Sequence, residues 1–499
     1  MARYIFICGG VMSGIGKGIA TASIGRILKS RGFRVTAVKI DPYLNVDAGT
    51  MNPIEHGEVF VTADGMECDQ DVGNYERFLG ESIPRENYMT SGAVYQSVIN
   101  RERRHEYGGK CVQVVPHIPF EVMERLDNAS KKAKSDFTLV EVGGTVGEYE
   151  NILFLEAARM LRLARPKEVL FVLLSYLPIP EMIGEMKTKP TQHAVRAMNA
   201  TGIQPDIIIG RSRVPLDEPR KKKLAVLCNV HENDIISAPD TRMIYEIPLN
   251  FEKENLGDRI LEKFGLRPRK RDLAEWRSMV SRARRTKKTV RIGVVGKYFH
   301  TGDFVLSDSY ISVLEAIKHA SWSLGARPEI EWIDSEEYEK NPRALQKLKT
   351  YNGIIVPGGF GSRGVEGKIK AIEFCRKQKI PYLGLCYGLQ LAVVEFARHV
   401  AGLKEAHTTE IKPKTKSPVI HVLPEQLVHI KDRKIGGSMR LGEYRCFVRP
   451  GTKAAKAYGQ KEVIERHRHR YEVNNDYREI LEKKGLVFSG INPERNLVE

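Results

Sequence analysis

The stretch Tyr4-Ile-Phe-Ile-Cys8, Gly9-Gly-Val-Met-Ser-Gly-Ile-Gly-Lys-Gly18, and then Ile19–Arg31 decides how the first half of this chain folds. The apolar run predicts a strand over Tyr4–Cys8, and the amphipathic spacing after the glycines predicts a helix over Ile19–Arg31. Glycines let the intervening loop turn its backbone N–H groups toward an anion. Lys17 adds a point charge and the helix N-terminus adds its dipole, so the loop suits phosphate. It departs from the strict Walker pattern. Five residues separate Gly10 from Gly16, and Gly18 stands where Ser or Thr normally meets magnesium. Carboxylates from elsewhere must then hold the metal. Glu141 lies inside the apolar run Thr138-Leu-Val-Glu-Val142, where a carboxylate is costly unless it meets a cation or donors. Asp71 belongs to the acid-rich Glu67-Cys-Asp-Gln-Asp-Val-Gly73, where a plain solvated acid is the competing reading.

Working outward, strands are expected at Val35–Ile40 and Phe137–Val142, and the alternation with amphipathic runs predicts parallel α/β. The segment Lys187-Thr-Lys-Pro-Thr-Gln-His193 gathers lysines with amide and hydroxyl donors. Its Pro190 is read as favouring an extended loop, which suits a second polyanion. The α/β pattern ends near Phe264. Residues 265–289 are strongly basic and read as a linker carrying one exposed helix, Asp272–Arg285. A second α/β unit opens at Val290-Arg-Ile-Gly-Val-Val-Gly-Lys297 and continues through a strand at Gly353–Val356 and the loop Pro357-Gly-Gly-Phe-Gly361. The expected fold class is therefore α/β, a P-loop-like parallel-sheet domain (1–264), the linker (265–289) and a second α/β domain (290–499).

In that second domain the apolar stretch Ile380–Leu383, then Gly384-Leu-Cys-Tyr-Gly388, then the helical run Leu389–Val400 form a strand–turn–helix. Such a turn lifts its central residue, Cys386, out of the sheet as a nucleophile elbow carrying sulfur. The helix N-terminus favours a thiolate there. A buried structural cysteine is the plain alternative.

Composition narrows the classes. At 499 residues the chain exceeds one ordinary core, and 42% hydrophobic residues suffice for globular folding. No window approaches the ~18 continuous apolar residues of a membrane span. Seven scattered cysteines without a C-x-x-C pair point to a reducing, cytoplasmic setting and no structural zinc. The formal charge of +17 comes in short clusters without interleaved aromatics, which favours polyanionic small ligands such as nucleoside triphosphates over nucleic acid. No membrane or nucleic-acid partner is expected.

Taken together, these segments resemble the CTP synthase family. The resemblance is carried by Gly9–Ile19, Lys39-Ile-Asp-Pro-Tyr-Leu-Asn-Val-Asp47, Glu55-His-Gly-Glu-Val-Phe-Val61, Gly143-Gly-Thr-Val-Gly147, Lys187–His193, Pro357–Gly367 and Glu465-Arg-His-Arg-His-Arg-Tyr-Glu-Val-Asn474, in family order over essentially the whole chain. It implies an amidoligase domain joined to a class I glutamine amidotransferase domain. ATP would phosphorylate O4 of UTP, and ammonia, normally drawn from glutamine, would displace that phosphate. GTP would activate, CTP would inhibit, and homotetramers, able to form filaments, would be the working form. Carried onto matching positions, Ser13, Gly14, Ile15, Gly16, Lys17 and Gly18 would serve ATP, with Arg211 and Asp240 at the adenine. Asp71 and Glu141 would hold Mg2+, and Lys39 would face the moving phosphoryl group. Ser13, Glu148, Glu150, Lys187, Lys189, Gln192 and Lys223 would line the UTP/CTP region. Gly359 and Phe360 would supply oxyanion donors, and Gln390, Glu410 and Arg470 would hold glutamine beside Cys386. Tyr43, Lys297 and Arg363 are candidate GTP contacts.

Three departures from the family pattern stand out. Glu148 occupies a position where Asp is common, and Tyr387 one where Leu is usual. The sequence also closes at Asn496-Leu-Val-Glu499, ahead of the family's His-Pro-Glu, whose histidine would serve the thiol. His467 and His469 are passed over as substitutes, so the expectation is CTP formation from free ammonia with poor glutamine hydrolysis. A sibling amidoligase with another acceptor and a non-catalytic nucleotide-binding scaffold are the competing readings. Intact Lys17, Lys39, Asp71 and Glu141 weigh against the scaffold.

Overall fold

Strand β1 (Arg3–Gly10) is buried from Tyr4 onward, as a parallel strand covered on both faces must be. In the computed structural model, which describes residues 2–296, 300–301, 304–305, 307–432 and 436–499, β1 occupies the middle of a seven-stranded sheet. Its companions are β2 (Val35–Asp41), β3 (Tyr88–Thr90), β4 (Phe137–Val142), β5 (Val169–Tyr176), β6 (Ile207–Ser212) and β7 (Ile235–Pro239), in the spatial order β3-β2-β4-β1-β5-β6-β7. Every pairing is parallel. The β1 register sets Ile7 opposite Glu141 and Val172, so the ends of β1, β4 and β5 come level at the carboxyl edge of the sheet. Ligands of open α/β sheets bind along that edge. Helix α1 (Lys17–Ser30) follows β1 directly, and α2 (Asp71–Leu79) packs beside it.

The chain divides into two compact units, one of residues 1–48 and 68–280, the other of residues 49–67 and 281–499. Residues 49–67, read as part of the first domain, cluster with the second unit. The basic linker also differs from expectation. Helix α5 (Ala274–Arg285) buries Trp276 and Val280, and Trp276 stacks near Phe78 and Tyr245 while its indole N–H donates to the Tyr245 carbonyl at 2.8 Å. Trp276 and, one turn on, Val280 dock an otherwise polar helix. The loop expected around Pro190 is corrected as well. Helix α3 spans Lys189–Ala200 with Pro190 in its first turn, where a proline's missing N–H costs nothing. Helix α4 covers Glu218–Cys228.

The second unit contains a four-stranded parallel sheet of β8 (Thr289–Gly296), β9 (Arg327–Asp334), β10 (Gly353–Val356) and β11 (Tyr382–Gly384), ordered β9-β8-β10-β11. Helices α6 (Val365–Gln378) and α7 (Tyr387–His399) pack on one another. Smaller sheets carry β12 (Arg440–Val448), paired antiparallel with β13 (Glu462–His469), and the short β14 (Tyr471–Val473). Among the described residues no helix is long and apolar enough to cross a membrane.

Candidate functional sites in the two units

In the first unit the glycine loop ends at Gly16, whose φ of 88° is left-handed and open to glycine at no steric cost. The Arg211 guanidinium lies against Gly16, so a Cβ there would approach it to 3.0 Å. Lys17 folds back across Gly9 and donates to the Gly144 carbonyl at 2.6 Å, tying the β1 loop to the loop after β4. Gly18 now has a reason. The Asp71 carboxylate lies where its side chain would be, so the residue that usually offers a hydroxyl is replaced by space for a carboxylate.

Lys39, buried on β2, is the centre of the arrangement. Its ammonium lies 2.7 Å from Asp71, 3.3 Å from Asp69, 3.4 Å from Asp41 and 3.5 Å from Glu141. Burial works against a charge on Lys39, but the carboxylates overcome it and hold the group well above the ordinary lysine range. Burial, then the Asp71 charge, pushes Glu141 up to about 7, and Tyr75 donates a short hydrogen bond to it. Burial likewise raises Asp69. Burial would raise Asp71 too, yet the charge of Lys39 and hydrogen bonds from Lys39 and Asn74 outweigh it and hold Asp71 low. Several acids around one cation leave an excess of negative charge, and two of them are held toward the protonated form. That donor set fits a divalent cation, whose arrival displaces such protons.

Arg211 and Asp240 pair at 3.3 Å and line a largely apolar cavity with Ile15, Gly16, Ile244 and Phe251, beside the glycine loop. The other predicted contacts are less gathered. Ser13, Gly14, Glu150, Lys189 and Lys223 are exposed. Glu148 accepts from Thr145, and its carboxylate lies against Gly144. Glu185 pairs with Lys187 at 2.6 Å and with Arg220 of α4 at 3.1 Å, which brings the segment before α3 close to α4. Gln192 donates to Thr188 at 3.1 Å. Tyr43 hydrogen-bonds Asp41, whose charge, after burial, raises the phenol. Arg363 pairs with Glu336 at 2.8 Å. Lys297 lies outside the described residues.

In the second unit Cys386 caps α7 with φ 53° and ψ −108°, a strained backbone for a residue with a side chain. The flanking glycines explain the motif. A Cβ on Gly384 would come 2.6 Å from the Gly388 backbone, and one on Gly388 would run into the Val356 carbonyl. Cys386, Gly359, Phe360, Gln390, Glu410 and Arg470 all line one cavity of about 510 Å³, a volume typical of small-molecule sites. Glu410 accepts from the Gly361 N–H at 2.7 Å, and Gln390 donates to the Tyr471 carbonyl at 2.7 Å. Tyr387, fully buried, donates to the Gly361 carbonyl at 3.3 Å and so ties the loop after β10 to the turn at Cys386.

His469, set aside in the sequence reading, lines the same cavity, and its Nδ1 stands 3.5 Å from Glu472. Burial would raise the Cys386 thiol, but the charge of His469, a hydrogen bond with that ring and the Tyr387 N–H leave it below its usual value. Sequence reasoning also missed Asp41, Asp69 and Tyr75, although the first two lay within stretches already singled out. Nothing in linear spacing marks His469 over His467.

Residues 3–266 match the family model described as CTP synthase N-terminus, and residues 305–499 match glutamine amidotransferase class-I. A CTP synthase of Carboxydothermus hydrogenoformans is 50% identical over 100% of this chain and 92% of its own length. The corresponding figures for a CTP synthase of Thermococcus gammatolerans are 50%, 98% and 90%. For one of Sulfurisphaera tokodaii they are 50%, 100% and 92%.

Proposed function

The chain belongs to the CTP synthase family, and from that premise we propose that it is an ATP-dependent ligase converting UTP to CTP with nitrogen from glutamine or free ammonia. One observation carries the reading, the presence in a single chain of two separate clusters of chemistry-bearing side chains. Lys17 and Lys39 stand with acids at the carboxyl edge of the first sheet, and Cys386 shares a cavity with Gln390, Glu410 and Arg470 in the second unit.

In this reading the glycine loop and Lys17 hold the ATP phosphates, with Arg211 and Asp240 at the adenine. Lys39 carries a fixed positive charge toward the phosphoryl group as it moves to O4 of UTP, where charge stabilisation is the main catalytic demand. Asp71 and Glu141, helped by Asp69, would hold Mg2+, which supplies charge neutralisation for the phosphates. Glu148, Glu150, Lys187, Lys189, Gln192, Lys223 and Ser13 contact the pyrimidine nucleotide. Ammonia then attacks C4, and phosphate leaves in place of a poor oxygen leaving group. GTP as activator, CTP as inhibitor and a homotetrameric working form complete the reading, all three supported by family membership.

Glutamine is included as a working donor because residues 305–499 match the class-I glutamine amidotransferase model and Cys386 shares a cavity with Gln390, Glu410 and Arg470. The test is CTP formation from UTP, ATP and magnesium, with ammonium chloride in one tube and glutamine plus GTP in another. Product in both is expected. Product with ammonia alone would restore the ammonia-only expectation, and product in neither would remove the ligase reading.

A further inference from the structure

Two buried tyrosines send their hydroxyls to one short glycine loop in the second unit. Tyr310 donates to the Gly358 carbonyl at 3.3 Å, and Tyr387, at the position where leucine is usual, donates to the Gly361 carbonyl at 3.3 Å. We propose that both are positioning residues for glutamine hydrolysis. By holding those two carbonyls they aim the backbone N–H groups of Gly359 and Phe360 at the oxygen on which charge develops when Cys386 attacks. The inference rests on the proposed reading of this cavity as the glutamine site, with Gly359 and Phe360 as its oxyanion donors.

Peptide geometry carries it. A trans peptide is planar, with its C=O and N–H pointing opposite ways. The Gly358 carbonyl and the Gly359 N–H share one such plane, so the hydrogen bond from Tyr310 turns that N–H away from Tyr310. Among the described residues, Gly359 and Phe360 line the Cys386 cavity and neither tyrosine does, so the hydroxyls grip the loop from outside the cavity. Gly358 lies against the nucleophile, for a Cβ there would come 3.5 Å from the Cys386 Cβ and 3.7 Å from its sulfur. Further along, the Glu410 carboxylate fixes the Phe360–Gly361 peptide by accepting from the Gly361 N–H at 2.7 Å, and Tyr387 fixes the peptide after it. The Gly359–Phe360 peptide is held between these anchors.

The composition of the loop makes the tethers matter. Pro357-Gly-Gly-Phe-Gly361 contains three glycines, and Gly361 has a left-handed φ of 76°. Glycine has the freest backbone of any residue, so an untethered loop of this kind spreads over many conformations. Both phenols are firmly mounted. The Tyr310 ring packs with Val294 and Ile317 and lies 6.2 Å from the Trp332 ring. The Tyr387 ring belongs to the main core of the second unit, and the buried Lys368 sets its ammonium 5.6 Å from the ring centroid, a cation–π contact. Leucine at 387 could fill much of this space but has nothing to donate, so the second tether comes with the tyrosine.

The step served is the first bond change. The thiolate sulfur of Cys386 bonds to the carboxamide carbon, the C=O π pair moves to oxygen, and donors already in place stabilise that charge without reorganising. Losing such a donor outright costs about 10²- to 10³-fold in kcat, and loosening one that remains should cost roughly tenfold. The Tyr310 hydroxyl holds the peptide that carries a donor, so it should matter more than the Tyr387 hydroxyl.

The experiment compares the full-length wild type with Tyr310→Phe, Tyr387→Phe and Tyr387→Leu, each of which removes a hydroxyl and keeps an apolar side chain. The first readout is kcat and KM for glutamine hydrolysis with ATP, UTP and GTP present. The second is inhibition by glutamate γ-semialdehyde, whose aldehyde carbon takes the thiolate to give a tetrahedral oxyanion. The third is the rate of iodoacetamide alkylation at Cys386, a displacement that forms no oxyanion. Expected for Tyr310→Phe is a fall of roughly tenfold in kcat with KM within about twofold, and semialdehyde affinity weakened in proportion to kcat. Alkylation should be unchanged. Tyr387→Phe and Tyr387→Leu should show smaller effects of the same kind, equal to one another.

An unchanged kcat in Tyr310→Phe would overturn the proposal. So would a kcat loss matched by slower alkylation, which marks a disturbed nucleophile, or one that leaves semialdehyde affinity unmoved, which marks a merely structural role. Should Tyr310→Phe not fold, the two variants at position 387 decide by the same criteria. If the wild type neither hydrolyses glutamine nor binds the semialdehyde, the glutamine-site reading fails and takes this inference with it. If the wild type does both and the variants match it, this inference fails alone.

Discussion

Glu141 shows how much one buried side chain can encode. Its folded pKa of about 7 lies above an unfolded value near 4.3. Between those values the unfolded chain releases this proton while the folded one keeps it, so stability from this group falls as pH rises through that window and stays reduced above it. Glu141→Gln should therefore raise the melting temperature of the metal-free protein at pH 7.5, with the advantage shrinking toward pH 4.5. Magnesium with ATP should stabilise the wild type and release protons near pH 7, seen as a buffer-dependent heat of binding, and the variant should lose both effects. A melting difference that does not depend on pH would contradict the assignment.

Among elements, the junction of β1, α1 and α2 makes a sharp prediction. Gly18 leaves room for the Asp71 carboxylate against the first turn of α1. Gly18→Ser would restore the usual Walker hydroxyl, yet it should inactivate rather than improve the enzyme, because the new side chain displaces Asp71. A loss of ATP-dependent turnover of tenfold or more with an unchanged circular dichroism spectrum is the expected result. Helix α5 gives a second test. Trp276 is buried against Phe78 and Tyr245, with Arg26 placed 5.0 Å over its ring. Trp276→Ala should cost about 3–5 kcal/mol in urea unfolding followed on the first unit. A cost near zero would mean the segment behaves as a free linker after all.

For the whole molecule, two units with separate chemistry predict separable failures. Lys17→Ala should abolish CTP formation with either nitrogen source, since phosphate handling precedes amination. Cys386→Ala should remove glutamine-driven formation and spare the ammonia-driven route, measured by product chromatography in paired assays. Loss of the ammonia route in Cys386→Ala would show that the sulfur does more than deliver nitrogen. The net charge of +17 belongs to this scale too, because several nucleoside triphosphates bring negative charge that isolated pairs could not offset. Turnover should accordingly weaken as salt is raised.

Much was legible in the linear sequence because the physics behind it is local. A glycine loop between strand and helix, a cysteine between two glycines and a carboxylate inside an apolar run each state their constraint within ten residues. From these came the parallel α/β class, Lys17, Glu141 and Cys386. What the sequence could not disclose depends on distance through space. Asp71 and Lys39 meet only when α2 and β2 are laid side by side, and Gly18 is explained only by the carboxylate that comes to rest on it. The helix starting at Lys189 overrode a loop reading because a proline in the first turn of a helix breaks nothing. His467 and His469 are alternate residues of one strand, identical to any rule of spacing. Burial beside Arg440 silences the first, while Cys386 and Glu472 charge the second, and tertiary packing alone made that distinction.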